Sequence, residues 1–525
     1  MKINFSRLMA QTVQCYADHE ALVNIERNRR YSFRELHLLT NRIANMLSTR
    51  LDLHRGDIAL CILENDNLSL LHGWTAFKGE AALTYTNFRD SLDEHRWQIE
   101  FIRPRAIFIE NTLLERYGDM LRESGARVIC MDPPPPGYGD FLHFWDLLEG
   151  VSDAEPDVES DGNSDILLYR FTGGTTGKSK CAQYSIDNWL GARDTMYADP
   201  DQSVALNDRT RYLHIAPISH GSGLSLLPTL FRGGCTLTQN AADLKAWCRN
   251  VETERVTTCM MVPTLVNWLL ELPEASSHDL SSLQNLYYGA APMSPRKLEL
   301  AQKRFGNIFF QLYGSSESSQ AICTLTRTDH LTAVATGRLA SAGRPTIGNE
   351  LKIADEDGNP VPPGATGEIW VRGRGIISGY FRNPEATAAE FVDGFWKSGD
   401  LGYLDEAGYL FIVDRKKDVI ITGGFNVYAT EVEASLNAHP AVSMSAVVGI
   451  PHDMWGEAVH AEVVLRSDAQ VDVDALIEHV KASLGRFKAP KSVSFVEALP
   501  VSAVGKVLRR QVREKYWSGQ SRRVS

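Results

Sequence analysis

Two patterns of apolar positions alternate along the first part of the chain. Ser32-Phe33-Arg34-Glu35 has the spacing of a capping box, and the apolar residues that follow, Leu36, Leu39, Ile43 and Leu47, predict an amphipathic helix over 31–48. Gly56-Asp57 then leads into Ile58-Ala59-Leu60-Cys61-Ile62-Leu63, a run without alternation, as expected of a strand covered on both faces in a parallel sheet. A helix-like stretch at 67–79 precedes Ala81-Ala82-Leu83-Thr84, and Ala106-Ile107-Phe108-Ile109 and Val128-Ile129-Cys130-Met131 repeat the buried-strand pattern. Helix and strand signals in alternation predict an α/β fold with parallel sheets. The prolines at 133–136 form a stiff connector, and the acidic stretch 152–165 reads as a surface loop.

Residues 343–413 change character. Leu351-Lys352-Ile353, Gly367-Glu368-Ile369-Trp370-Val371-Arg372-Gly373 and Gly408-Tyr409-Leu410-Phe411-Ile412-Val413 are short strands between turns, which predict antiparallel structure resembling a small barrel. The charge cluster Asp414-Arg415-Lys416-Lys417-Asp418 marks a boundary. Strand and helix signals resume beyond it over about 110 residues, enough for a compact second domain. The fold expected is a large N-terminal α/β domain of stacked, mainly parallel sheets with a small barrel-like part, followed by a mobile small α+β domain. The divisions are 1–414, a hinge at 415–417, and 418–525.

Length and composition narrow the function. A chain of 525 residues exceeds one hydrophobic core, and 43% hydrophobic with 23% charged residues is ordinary for a soluble protein. A net charge of −11 argues against a general nucleic-acid binder, which needs a basic surface. No apolar run approaches the ~20 residues that span a bilayer, and the start of the chain lacks a signal-peptide core. The eight cysteines are scattered with no Cys-x-x-Cys pair, which fits reduced thiols and a cytoplasmic protein.

The chemistry concentrates in loops that follow strands. Phe171-Thr172-Gly173-Gly174-Thr175-Thr176-Gly177-Lys178-Ser179-Lys180 packs three glycines, three threonines and two lysines into ten residues after the apolar run from Ile166. Glycines let backbone N–H groups turn toward an anion, and hydroxyls and ammonium groups add donors and charge, so the stretch predicts a polyphosphate cradle. It is not a Walker A loop, because the residue five before Gly177 is Thr172. Pro217-Ile218-Ser219-His220-Gly221-Ser222-Gly223 is a turn that sets His220 at a loop edge, and Tyr287-Tyr288-Gly289-Ala290-Ala291 ends a strand in small residues. Phe309-Phe310-Gln311-Leu312-Tyr313-Gly314-Ser315-Ser316-Glu317 runs from a strand into a polar turn, and Ser398-Gly399-Asp400 puts a carboxylate on a glycine turn. Val504-Gly505-Lys506 puts a lysine just before a basic helix.

In this order and at these separations the segments resemble the adenylate-forming superfamily of acyl-CoA synthetases, aryl-CoA ligases, luciferases and peptide-synthetase adenylation domains. The resemblance spans roughly residues 15–515. It implies a carboxylic acid:CoA ligase that uses ATP, Mg²⁺ and coenzyme A, forming an acyl-adenylate and then a thioester. By the same resemblance Thr172, Gly173, Gly174, Thr175, Thr176, Gly177 and Lys180 hold the outer phosphates, and Glu317, with Thr172, binds Mg²⁺. Tyr313, Gly314 and the backbone at Gly289, Ala290 and Ala291 flank the adenine. Ser316 approaches the α-phosphate, and Asp400 and Arg415 hold the ribose. Lys506 bridges the substrate carboxylate and the α-phosphate. Lys417 falls at the hinge, and rotation there brings Gly423, Gly424 and Phe425 to the thiol. His220, Ser222, Gly223, Tyr288, Gly289 and Ala290 line the acyl pocket, His220 also counting among the catalytic group.

Several positions depart from the family pattern. Gly173 replaces a serine, Ser179 a proline, Cys181 a glycine, Ser316 a threonine and Ala429 a proline. None removes a charged group. The small residues at Gly289 and Ala290 suit a medium or long aliphatic, alicyclic or aryl acid. A stand-alone adenylation enzyme serving a carrier protein, an oxidative luciferase and a non-catalytic nucleotide sensor are the rival readings. The implied partners are small molecules, with neither nucleic acid nor an integral membrane segment, and a homodimer is the candidate assembly.

Overall fold

The computed structural model describes residues 1–172, 179–199, 201, 205–319, 321–467, 469–501 and 507–517. Two large sheets carry the first three hundred and fifty or so residues. The seven-stranded sheet runs in the order Cys181–Ser185, Ile166–Phe171, Ala82–Tyr85, Ile58–Ile62, Ala106–Ile109, Arg127–Cys130, Leu142–His143. All its pairings are parallel except the first, where Phe171 lies opposite Cys181. Every residue of Ile58–Ile62 and of Ala106–Ile109 is buried, as their unbroken apolar runs predict. The capping box is present: Ser32 and Glu35 cap the helix Phe33–Thr49, which lays Leu36, Ile43 and Leu47 in the core.

The second sheet has nine strands, with Phe309–Tyr313, Asn285–Gly289, Thr258–Met261, Arg211–His214 and Cys235–Thr238 adjacent and parallel at its centre. The helix-like stretch at 67–79 is two short helices, Asn65–Leu71 and Gly73–Ala76, broken at His72, whose backbone is extended. The barrel-like part is an open five-stranded antiparallel sheet. Its long strand Phe395–Leu404 pairs with Gly367–Gly373 on one side and with both Phe391–Val392 and Leu410–Arg415 on the other.

Beyond the charge cluster, the stretch 419–428 is a hairpin of Ile420–Thr422 and Phe425–Val427 turning at Gly423 and Gly424. It joins a five-stranded sheet that also contains Val442–His452, Gly456–Leu465 and Ser492–Phe495. Helices Ala429–Ala438 and Val473–Leu484 cover it through Val432, Leu436, Leu476 and Val480, giving an α+β unit with its own core. Arg509 ties this unit to the strand before it, with Nη1 at 3.2 Å from Asp414 and 3.6 Å from Asp418 and Nε at 2.7 Å from Glu433. Arg466 reaches back to Glu271 at 2.8 Å, and Glu271 also accepts from Lys297 at 3.0 Å. No helix among the described residues is long and apolar enough to cross a membrane.

Candidate active site

The predicted cradle is the connection of an antiparallel hairpin. Thr172 N–H donates to Lys180 O at 2.8 Å, and Lys180 N–H donates to Thr172 Oγ1 at 3.3 Å, so these two residues close the base of the loop. Gly173, Gly174, Thr175, Thr176 and Gly177, and likewise Lys506, lie outside the described residues. The Lys180 ammonium is 2.5 Å from Glu390 Oε1 and 3.2 Å from the Tyr380 hydroxyl. That hydroxyl is in turn 2.8 Å from Glu317 Oε1 and 2.6 Å from Glu390 Oε2, donating its proton to one carboxylate at a time. Burial and then the charge of Glu317 push the Tyr380 phenol far up, so it stays protonated. Lys180 from one sheet and Glu317 from the other thus meet at one side chain.

Glu317 sits in the turn after Phe309–Tyr313, almost fully buried; Ser315 Oγ donates to its second carboxylate oxygen and accepts from the Glu317 N–H at 3.0 Å. Ser316 presents its carbonyl to the Tyr184 hydroxyl. A carboxylate fixed by neutral hydroxyl donors is a hard oxygen ligand of the kind Mg²⁺ prefers, and Thr172 adds a hydroxyl at the cradle's base. The residues present fit that ion.

Tyr313 ends the same strand, before Gly314, and donates its hydroxyl to Asp400 Oδ2 at 2.7 Å. Asp400 and Arg415 are cross-strand partners in the open sheet, with Arg415 Nε 3.6 Å from Asp400 Oδ1. Tyr313, predicted at the adenine, and the predicted ribose residues Asp400 and Arg415 are therefore one contiguous group. Lys417 is half-buried beside them, its ammonium pushed down to about 8 by burial and then by Arg415, with Lys180 and Asp400 also acting on it. The Gly423, Gly424 and Phe425 turn joins none of these groups among the described residues. Gly423 N–H bonds Trp455 O, and the exposed Phe425 ring leans on Phe487.

The loop holding His220 packs tightly. A Cβ on Gly223 would lie 2.0 Å from Ile218 O and 2.7 Å from His72 Nε2, so no larger residue fits there. Ser222 Oγ pairs with His214 Nδ1 at 2.9 Å. His220 Nδ1 is 3.0 Å from Ser219 Oγ, and burial followed by the Arg170 charge pushes its imidazole down to about 4, so it is neutral near pH 7. Arg170 is buried, with Nε donating to Ser219 O at 2.9 Å and its guanidinium over Tyr184.

The strand end at Gly289 is as close: a Cβ there would meet Leu312 O at 2.2 Å. Ala290 follows with φ +66, a left-handed backbone in a non-glycine residue, and Ala291 is half-buried. Tyr288 and Tyr287 take opposite faces of the sheet. Tyr288 enters the core of Leu286, Phe309 and Leu298, and its hydroxyl donates to His330 Nε2 at 3.1 Å, His330 Nδ1 being committed to Thr326 O at 2.6 Å. Tyr287 faces Tyr212, Phe310, Met196, Met260 and Leu312. Gly221 of the His220 loop also lies against this side, near Met260. The structure thus sets Tyr288 apart from the His220 loop and puts Tyr287 on its side. The period of two along 285–289, counted back from Gly289, carries that signal.

Sequence reasoning also missed Arg170, Tyr380 and Glu390. Arg170 was marked by a charge inside the otherwise apolar run Ile166–Phe171. Glu390 had no local signal, because its partners come from other elements.

The AMP-binding enzyme family matches residues 9–381, and the AMP-binding enzyme C-terminal domain matches residues 431–506. The chain is 38% identical to the medium/long-chain-fatty-acid–CoA ligase FadD8 of Mycobacterium tuberculosis over 432 residues, 81% of this chain and 74% of that one. It is 37% identical to a feruloyl-CoA synthase of an Amycolatopsis species over 75% of this chain and 80% of that one. The o-succinylbenzoate CoA synthetase MenE of Bacillus subtilis, solved with its acyl-adenylate intermediate, superposes with a TM-score of 0.82 at 26% identity, over 98% of each chain. The chain belongs to the AMP-binding enzyme family and is an ATP-dependent, AMP-forming acid–thiol ligase of the adenylate-forming acyl-CoA synthetase superfamily.

Proposed function

We propose that the chain joins a medium-sized apolar carboxylic acid, aliphatic, alicyclic or aryl, to coenzyme A in two steps at one site. In the first, a carboxylate oxygen of the acid attacks the α-phosphorus of ATP and pyrophosphate leaves. In the second, the coenzyme A sulfur attacks the acyl carbon, its thiol proton is lost, and AMP leaves. Neither step needs a nucleophilic side chain; both need positioning and neutralised charge.

The observation that carries this reading is the meeting of Lys180 and Glu317 at the Tyr380 hydroxyl, next to the Tyr313, Asp400 and Arg415 group. Residues 172–180 would hold the outer phosphates, Asp400 and Arg415 the ribose, and Tyr313 with the 289–291 backbone the adenine. Glu317 with Thr172 would hold Mg²⁺, which when bound neutralises polyphosphate charge. Lys506 carries the developing charge of adenylation. The neutral His220 can donate or accept a hydrogen bond beside the acyl group without trapping its carboxylate in an ion pair. Tyr287, Met260 and Leu312 give the acyl side of the loop its apolar lining, in keeping with the fatty-acid and feruloyl names of two relatives.

In the same reading the chain divides at 415–417. Rotation there exchanges the Lys506 loop for the Gly423, Gly424 and Phe425 turn between the two steps. The reading includes a cytoplasmic location, supported by eight cysteines that stand as free thiols, and a homodimer, which sedimentation would test.

The deciding experiment incubates the enzyme with ATP, Mg²⁺, coenzyme A and a panel of carboxylic acids, following AMP release and thioester formation. AMP release that requires both an acid and coenzyme A supports the reading. Acyl-adenylate accumulating with no thioester from any acid overturns the coenzyme A step in favour of a carrier-protein acceptor.

A further inference from the structure

Lys180 is already engaged. Its ammonium makes its polar contacts to Glu390 and Tyr380 and lies 4.4 Å from the Tyr380 ring centroid. Glu390 is the last residue of the helix Pro384–Glu390, whose first turn is capped by Asn383, accepting from Ala386 N–H at 3.0 Å. Thr387 of that helix accepts from Tyr380 N–H at 3.0 Å, so the helix and the tyrosine are fixed to each other. The carboxylate is thereby held by structure, and both oxygens are used, one on Lys180 and one on Tyr380. Lys180 and Glu390 are 28% and 31% exposed, partly screened from solvent and still open to a ligand.

We propose that Glu390 is a positioning residue that stands in for phosphate, holding the cradle lysine until the polyphosphate of ATP displaces it and taking it back when pyrophosphate leaves. The inference rests on the reading of residues 172–180 as the phosphate cradle. Two anionic oxygens at 2.5–2.6 Å occupy the ammonium and phenol donors, charge-assisted bonds of the kind a phosphate would also make. An anion entering the cradle must exchange one charge-assisted bond for another, so part of its gain is cancelled. The cancellation acts equally on ATP and on pyrophosphate. It weakens nucleotide binding and speeds release of the first product, which otherwise competes for the same donors. A site with no such counter-ion would bind both more tightly and turn over more slowly.

The test needs no knowledge of the acid. ATP with Mg²⁺, pyrophosphate with Mg²⁺, and AMP are titrated calorimetrically into the full chain and into Glu390→Gln, Glu390→Asp and Lys180→Ala. Glu390→Gln, which keeps size and removes charge, should bind ATP and pyrophosphate about five- to tenfold tighter, the size of one partly exposed charge-assisted bond. Glu390→Asp should tighten both by less, its carboxylate being drawn back by one methylene. The shift for AMP, which lacks the outer phosphates, should be less than half of that for ATP. A gain of affinity is a readout that mere damage to the helix does not produce, and the aspartate variant decides the matter if the glutamine variant does not fold. Unchanged or weaker ATP and pyrophosphate binding in the Glu390 variants, with Lys180→Ala weakened, overturns the inference alone. Unchanged binding in Lys180→Ala overturns the cradle reading and this inference with it.

Discussion

Replacing Arg509 with methionine tests what fastens the C-terminal unit to the strand before it. The guanidinium, 16% exposed, serves Asp414, Asp418 and Glu433, and the Asp414 side chain is completely buried. Methionine matches the length of the arginine stem and removes the charge. Taking one partner from a buried ionic group costs about 3–5 kcal/mol, because the remaining charges stay desolvated. Part of that is recovered here. Asp414 keeps two backbone donors, Arg415 N–H at 2.8 Å and Thr430 N–H at 3.2 Å. Its carboxyl is pushed up to about 6 by burial, with Arg509 acting in the opposite direction, so without the arginine it rises further and takes up a proton more readily. The expected loss is therefore about 3 kcal/mol at pH 7.5, shrinking by at least about 1 kcal/mol at pH 5, where protonation removes the stranded charge. Urea unfolding followed on the C-terminal transition, with limited proteolysis around 415–417, measures both. Adding Asp414→Asn should restore part of the loss, a positive coupling in a double-mutant cycle. A loss below about 1 kcal/mol at pH 7.5, or one that grows at pH 5, would refute the reasoning.

Tyr313→Phe removes the donor that orients Asp400 and should raise the KM for ATP about tenfold, the worth of one hydrogen bond to a charged acceptor, while the KM for the acid moves less than twofold. Lys506→Ala should abolish acyl-adenylate formation yet spare thioester formation from supplied acyl-AMP, and equal loss of both steps would end the division of labour given to that lysine. Tyr287→Leu should shift the preferred acid toward longer or bulkier chains in a substrate series, whereas an unchanged series would remove Tyr287 from the acyl wall. Burial pushes His72 and His214 down to about 3 and His95 and His220 to about 4, against an ordinary value of 6.5. At these four groups the unfolded chain therefore binds more protons than the folded one through that window. Carboxyls raised by burial, Asp414 and Asp90 to about 6 and Glu110 to about 7, act in the opposite sense and offset part of the effect. Stability should be complete above pH 6.5 and fall toward pH 4 by about 1.4 kcal/mol per pH unit for each histidine, and a Tm unchanged between pH 7 and pH 5 would contradict it.

Where one local rule decided an element, the sequence was a sufficient guide. Ile58–Ile62 and Ala106–Ile109 are apolar at every position because both faces are covered, and the Ser32–Glu35 capping box needs only four residues to state itself. Asp400 and Arg415 could be paired as ribose residues by resemblance, and the hairpin register then sets them opposite each other. Facing was harder. In a strand buried on both sides, Tyr287 and Tyr288 are equally apolar, so composition does not choose between them; the alternation counted back from Gly289 does, once packing shows which face holds the His220 loop. His72, where the helix breaks, sets its ring close against Gly223, a hundred and fifty residues later. Glu390 lies on a short helix with no polar partner nearby in sequence, and its meaning comes from Lys180 and Tyr380.

The Arg466–Glu271 contact has a kinetic implication. Its side chains are 34% and 53% exposed, and a solvent-facing pair of this kind contributes about 0–1 kcal/mol and is screened by salt. Glu271 also keeps Lys297 when Arg466 departs, so release strands no charge. In the proposed rotation at 415–417, a clasp this weak would bias the two orientations by no more than about fivefold in population. Ionic strength then becomes a dial on the enzyme. Raising it should shorten the dwell in the clasped orientation of the proposed rotation.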